Sequence, residues 1–527
     1  MNRTVRVNPP LPAYPPSYGY LKISLIFLIF GVLSPVMRST KPWVGADQQE
    51  RPASRLGEHA VVLGAGIAGL LAARVLSEFY DSVTVVERDA LANDPCGRKG
   101  VPQDRHLHNF LGGGTRVLAE LFPGLLDEMG AAGAVVVKDG DLSRIYARTG
   151  RCELKRSDRL ADPAALTLCL ASRPFVELHV RRRVGALPNV TITDRHDIVE
   201  PIAVADAVTG ARIVNRDNGL ATTLNADLVI DAMGRAARTP AFLERLGYGR
   251  PPEKRSTTAL GYSSQRLRIP HGGIVEQLVA VNQGVDRPGA LLMACEHDTW
   301  MLAVGRPDDQ GGAPTDFATM LAVAAEALPR SIADGLHRAE PVGEIATYRN
   351  PASVWRRYDR MPKFPRGLLV TGDALCSLNP VYGQGMTMAA LQARALRGRL
   401  RGGDRDLAKR FFDAAAADIG PTWARNQAND RVPSRAGKRS LRQRLLAAMV
   451  NAMLIAAGYD VAVAERLLRV AHLVDQPSRL TDPALLPHVL AANLRHLFVR
   501  TRNRASRAPT DVDRSPGALL YRGQQHG

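Results

Sequence analysis

Residues 59–90, "HAVVLGAGIAGLLAARVLSEFYDSVTVVERDA", limit what this chain can fold into more than any other stretch. A short apolar run ends in glycine, a segment with helical apolar spacing follows, and a second valine-rich run closes the unit. Two strands joined through one helix in about thirty residues can pair only in parallel. The expectation is therefore an α/β, doubly wound, Rossmann-like sheet with helices on both faces.

The turn inside this unit carries chemistry. In "GAGIAG", Gly64 permits the tight turn after the strand, Gly66 lets the backbone approach a pyrophosphate, and Gly69 lets helix and sheet pack closely. The free N–H groups at the start of the helix attract an anion. Glu87 lies 18 residues past Gly69, at the end of the second run, where a carboxylate can accept hydrogen bonds from ribose hydroxyls. A carboxylate there disfavours a 2′-phosphate. The ligand read from these residues is the ADP moiety of FAD or NAD.

About three hundred residues later, "LLVTGDALCSLNPVYGQGM" (368–386) has strand, carboxylate, glycines and helix start in the same order. FAD extends well beyond the reach of one β-α-β unit, so a distant segment must hold its far half. Asp373, at the end of a strand, would meet ribityl hydroxyls. Gly383 and Gly385 precede a helix whose N-terminus could stabilise negative charge at the flavin N1–O2 edge.

The rest of the chain divides by pattern. Residues 1–57 form a Pro-rich leader with one apolar stretch, Ile23 to Met37, of 15 uncharged residues. A membrane-spanning helix needs about 20, so membrane contact through residues 23–37 is not favoured. Residues 58–254 and 363–404 read as a discontinuous FAD-binding domain that includes "SRPFVELHVRRRV", an amphipathic helix opened by Ser172. Between them, 255–362 has neighbouring strands "ALLMACEHD" and "TWMLAVGR" and reads as a sheet-bearing substrate domain. Residues 405–500 are helical, and 501–527 form an Arg-rich tail.

The formal charge of +18 raises nucleic acid as a partner. The basic residues are spread along the chain, however, and arginines outnumber lysines 60 to 9, which points to GC-rich coding more than to a binding surface. No nucleic-acid partner is expected. Five cysteines without a C-x-x-C pair exclude a disulfide framework and a structural zinc site, and they fit a cytoplasmic compartment. His106 and His108 lack accompanying ligands, so no metal is expected. Cys376 reads as a packing residue.

The set "GAGIAGLLAARVL…VVERD", "ADLVIDAMGRAAR" and "GDALCSLNPVYGQGM" resembles the FAD-dependent monooxygenases of the para-hydroxybenzoate hydroxylase type. "VPQDRHLHNFLGGG", "SRPFVELHVRRRV" and the helical C-terminus resemble, more narrowly, the actinobacterial branch that includes polyene epoxidases, relatives of squalene epoxidase. The resemblance spans about residues 58–500. It implies that Gly64, Gly66, Gly69 and Glu87 hold the ADP half of FAD, with Arg88 beside the adenosine, Arg105 at the phosphates or ribityl chain, and Arg173 as a further contact. Asp231 and Gly234 belong to a middle motif that touches FAD and a passing nicotinamide. Many relatives read Asp-Gly where this chain has Asp231-Ala232-Met233-Gly234, which weakens that assignment. Gly372 and Asp373 would bind ribityl, and Pro380, Gly383, Gly385 and Met386 would line the flavin.

With one dinucleotide turn, NAD(P)H would visit transiently. The implied cycle reduces FAD, forms a C4a-hydroperoxide with dioxygen, and transfers oxygen to a large apolar substrate. No catalytic residue is named by sequence. Flavin halogenases carry a Trp-x-Trp-x-x-Pro stretch, whereas Trp43, Trp300, Trp355 and Trp423 are isolated. An isoprenoid double-bond reductase and a non-catalytic FAD-binding protein stay open as alternatives.

Overall fold

The computed structural model describes residues 55–98, 100–257, 260–284, 287–349, 352–430 and 441–505. The leader with its apolar stretch, and the tail beyond Ala505, lie outside the described residues.

Five parallel strands form the first sheet: β1 (Gly57–Leu63), β2 (Tyr80–Val86), β3 (Val190–Thr193), β4 (Leu228–Asp231) and β5 (Leu368–Val370). Their order is β5-β4-β1-β2-β3, as a doubly wound sheet requires. Helix α1 (Ile67–Leu76) connects β1 to β2, and almost all of it is buried, because it is covered on both sides. Helices α2 (Gly112–Leu121), α3 (Arg173–Gly185) and α4 (Gly385–Leu400) pack around it. The central strands are buried on both faces and read as continuous apolar runs for that reason.

A separate seven-stranded sheet is built mostly from residues 260–348. Strands Gly289–Ala294 and Thr299–Pro307 pair antiparallel across a tight turn, as the sequence predicts, with His297 and Asp298 both at φ 55°. The helix Phe317–Ala327 covers one face and closes an apolar core with Leu267, Leu292 and Leu302. One edge differs from expectation. Strands Ile145–Thr149 and Cys152–Glu153 join this sheet from far upstream, the first pairing in parallel with Leu278–Asn282. Ser172, the N-cap of α3, ties the two sheets together: its backbone N–H and Oγ both donate to the buried Glu296 carboxylate, at 2.7 and 2.5 Å.

Among the described residues four α-helices follow residue 405: α5 (Leu407–Asp430), α6 (Leu441–Ala457), α7 (Val461–Ala471) and α8 (Leu486–Ala505). The last runs five residues into the segment expected to be a loose tail. Among the described residues no helix is long and apolar enough to cross a membrane.

Candidate cofactor cleft

The strand ends converge before any side chain is considered. Gly64 N–H donates to Val86 O (2.8 Å), Ala232 N–H to Leu63 O (2.9 Å) and Thr371 N–H to Asp231 O (2.9 Å). These bonds bring the three motifs read from sequence to one end of the parallel sheet.

The first turn needs its glycines for three different reasons. Gly64 has φ 107°, a left-handed conformation unfavourable for side chains. A Cβ on Gly69 would sit 1.8 Å from Gly64 O, so helix and strand touch backbone to backbone. A Cβ on Gly66 would meet nothing within 4 Å. That space, at the N-terminus of a helix with no side-chain cap, is clear of the described protein atoms to 4 Å.

The second turn is pinned to the first. Gly372 has φ 64°, and a Cβ there would lie 2.5 Å from the Ala68 Cβ. Gln392 on α4 holds this point from behind, accepting from Gly372 N (2.7 Å) and Thr371 Oγ1 (2.9 Å). Gly383 has φ 62° with open space around it, Gly385 is exposed at the start of α4, and that helix also has no side-chain cap. Met386 is buried behind them, and Pro380 is half-buried.

The carboxylates are held in contrasting ways. Glu87 is buried, with Oε2 accepting from Ala65 N (2.9 Å) and Oε1 from Asp89 N (3.0 Å). Arg98 Nη1 lies 3.1 Å from Glu87 Oε2, and Arg98 Nη2 donates to Glu177 Oε1 (2.5 Å). Burial opposes the charge on Arg98, but Glu177 and Glu87 outweigh it and hold the guanidinium above its ordinary value. Burial likewise pushes Glu177 upward against the pull of Arg98 and Arg173. Asp104 extends the network, accepting from Arg98 N (3.2 Å) and pairing with Arg173 Nε (3.1 Å). Arg173 also donates to Gln103 Oε1 (2.8 Å). Asp373 is held more loosely: Arg235 Nε stands 3.7 Å away, and burial raises its carboxyl against Arg235 and Arg173.

Other sequence-read residues occupy varied positions. Asp231 is wholly buried, accepts from Thr239 Oγ1 and Met233 N, and is pushed up by burial. Its carboxylate closes the turn after β4. Gly234 sits at φ 69° in open space. Arg88 is exposed and lies 3.8 Å from Asp89, and Arg105 is exposed and pairs with Glu344 of the second sheet (2.8 Å). Cys376 is buried opposite Trp355, its thiol raised by burial. His106 is buried between Tyr262 and Tyr348, ring centroids 5.0 and 6.1 Å away. Burial, then Arg105, pulls it down to about 4. Among the described residues no cluster of ligating side chains could hold a metal.

Sequence reasoning missed Arg98, Gln103, Asp104, Glu177 and Arg235. Arg235 links the two sheets, donating to Tyr348 OH (2.7 Å) and to Leu378 O (3.2 Å) while facing Asp373. The available signal was its place in "AMGRAAR", directly after Gly234.

No family model matches the chain. Protein Rv3254 of Mycobacterium tuberculosis strain H37Rv is 38% identical over 472 residues, covering 87% of this chain and 98% of its own length. Among solved structures, the flavin-dependent brominase Bmp2 superposes with a TM-score of 0.56 at 14% identity, over 84% of this chain and all of its own. The p-nitrophenol 4-monooxygenase PnpA from Pseudomonas putida gives 0.56 at 19% identity, over 80% and 99%. A flavoprotein/dehydrogenase from Cytophaga hutchinsonii gives 0.57 at 15%, over 79% and 93%. At these identities the structures establish the fold, which is shared by enzymes of several activities. The chain belongs to the family of Protein Rv3254 and has the fold of the flavin-dependent monooxygenases.

Proposed function

We propose that this protein is an FAD-dependent monooxygenase that uses NAD(P)H and dioxygen to epoxidise or hydroxylate a large apolar substrate, of polyketide, polyene or terpenoid class. One observation carries the reading: the 2.5 Å approach that a methyl on Gly372 would make to Ala68, which sets the Gly372–Asp373 turn against the uncapped start of α1, while a methyl on Gly385, at the uncapped start of α4, would come within 4.0 Å of Asp373. One dinucleotide needs one such turn. A long cofactor with a diphosphate at one end and an anionic ring edge at the other suits both.

The residues fit FAD by their donor set and by the space left at Gly66, Gly234 and Gly383. Gly64, Gly66 and Glu87 would hold the ADP half, and Asp373 the ribityl chain, with Arg173 and Arg235 beside it. Pro380, Gly383, Gly385 and Met386 would border the ring. When bound, the flavin supplies electron transfer and oxygen activation. The α4 N-terminus would stabilise negative charge at the ring edge. Arg98 holds the Glu87 carboxylate in position through its 3.1 Å contact, and Asp231 shapes the turn from inside. Tyr262 and Tyr348 of the second sheet, with His106 packed against both, would make an aromatic wall suited to excluding water and packing an apolar substrate. The resemblance to polyene epoxidases supports oxygen transfer to a carbon–carbon double bond.

The test is purification with flavin absorbance intact, followed by incubation with NADH or NADPH and a polyene and terpenoid panel under labelled dioxygen. The expected result is one labelled oxygen atom in the product. Anaerobic turnover without label would make the protein a reductase of double bonds. Correctly folded protein that retains no flavin would overturn the reading.

A further inference from the structure

We propose that the C-terminal helices α6 and α8 form a peripheral docking face for an anionic lipid bilayer. The inference does not depend on the reaction proposed above. It rests on two features, one of sequence and one of structure, that coincide on the same helices.

The first is charge. From Arg431 to Tyr459 and from Pro483 to Thr510 the chain contains no Asp or Glu, although acidic residues number 51 of 527 overall. Of the eleven Lys or Arg in these stretches, six belong to α6 and α8 themselves: Arg442, Arg444, Arg495, Arg500, Arg502 and Arg504. Elsewhere basic residues are interleaved with acids, which is why the total charge alone pointed to no surface. Here the interleaving stops, in two segments well separated along the chain.

The second is packing. The fold brings α6 and α8 together: Ala452, Met453 and Ala456 of α6 share a core with Val489 and Ala492 of α8, and Asn493 Nδ2 donates to Ala452 O at 3.0 Å. Away from that seam the pair exposes Leu446, Val450, Leu494 and Phe498, the last at 73%. With Leu441 and Val499, six of the twelve exposed large apolar side chains among the described residues lie on these two helices. Arg444, Arg495 and Arg500 are exposed beside them, and among the described residues no carboxylate pairs with any of the three.

Exposed Phe and Leu flanked by arginines that have no carboxylate partner among the described residues, on helices too polar to span a bilayer, suit the headgroup boundary, where apolar side chains enter the acyl region and guanidinium forks meet lipid phosphates. A second copy of the chain is a poor occupant, since its identical face would oppose arginine with arginine.

The test is vesicle flotation of the full chain, with phosphatidylcholine alone and with one third phosphatidylglycerol. The protein should float with the anionic vesicles only, and partitioning should fall steeply at high salt. Leu494→Ser/Phe498→Ser and Arg495→Gln/Arg500→Gln should each weaken partitioning about tenfold or more, while thermal midpoint and flavin content stay unchanged. Absence of flotation would overturn the proposal. So would flotation lost on removing residues 1–36 but kept in both helix variants, which would assign binding to the leader. A monodisperse dimer converted to monomer by Leu494→Ser/Phe498→Ser would assign the face to self-association instead.

Discussion

The two glycine turns look alike in sequence, yet they are glycine-rich for different reasons. Gly69 is required by a contact five residues away, with Gly64 O. Gly372 is required by a contact some three hundred residues away, with Ala68. The first turn is thus a local object that any β-α-β unit of this kind would contain. The second is defined by the first, and has meaning only in the finished fold. Their carboxylates follow the same division: Glu87 sits in a tightly paired, buried ion network, whereas Asp373 has Arg235 no closer than 3.7 Å, with Arg173 and Gln103 nearby and a quarter of its side chain accessible.

The largest effect should come from Gly69→Val. A branched side chain cannot fit where a single Cβ already falls 1.8 Å from a carbonyl oxygen, and soluble expression should be lost. Next, Arg98→Met leaves Glu87 and Glu177 buried without their partner, and should cost about 3–5 kcal/mol by chemical denaturation. Adding Glu177→Gln should recover part of that loss. Asp373→Asn, by contrast, should change stability by less than about 1 kcal/mol while weakening flavin retention. If Arg98→Met and Asp373→Asn cost the same stability, the contrast between the two turns fails.

Gly372→Ala is expected to cost about 2 kcal/mol, combining a positive φ with the Ala68 clash. In an Ala68→Gly background the clash part should vanish and the φ part remain, which separates long-range from local causes. A pH effect of at least comparable size falls on the histidine at the aromatic wall. The folded value of His106, about 4, lies below the unfolded value of 6.5, so between these limits the unfolded chain binds more protons. Stability contributed by the neutral ring is present above pH 6.5 and is lost as pH falls toward 4. Each unit of that depression is worth about a factor of ten in the folding equilibrium, and His106→Gln should flatten the slope measured by thermal midpoint. Least of all, Gly66→Ala should leave stability within about 0.5 kcal/mol, because its Cβ meets nothing, yet lower flavin affinity at least about tenfold.

The β-α-β unit and the later strand–turn–helix were legible in sequence because their periodicity and turn residues are local. The edge strand Ile145–Thr149 was not, since its partner Leu278–Asn282 lies about 130 residues downstream and no local pattern encodes that pairing, and Cys152–Glu153 joins the sheet only through it. Arg98 was illegible for a related reason. In "DPCGRKG" it looks like an ordinary solvated loop arginine, and it is buried only because Glu177 waits on α3. Glu177 in turn was hidden in a helix read as amphipathic, where a carboxylate belongs outside. A buried ion pair is invisible to hydrophobic patterning because each member alone marks a surface position.

The strand order has a consequence for synthesis. β5 completes one side of the parallel sheet by pairing with β4, and it emerges from the ribosome about 140 residues later, on the order of ten seconds at typical elongation rates. During that interval the nascent chain displays β4 as an apolar, unpaired edge beside a half-built cleft. An open edge of this kind recruits other strands. Early release or stalling before residue 368 should therefore yield aggregates, not a smaller folded nucleotide-binding protein, and cofactor loading becomes one of the last events in the life of the newly made chain.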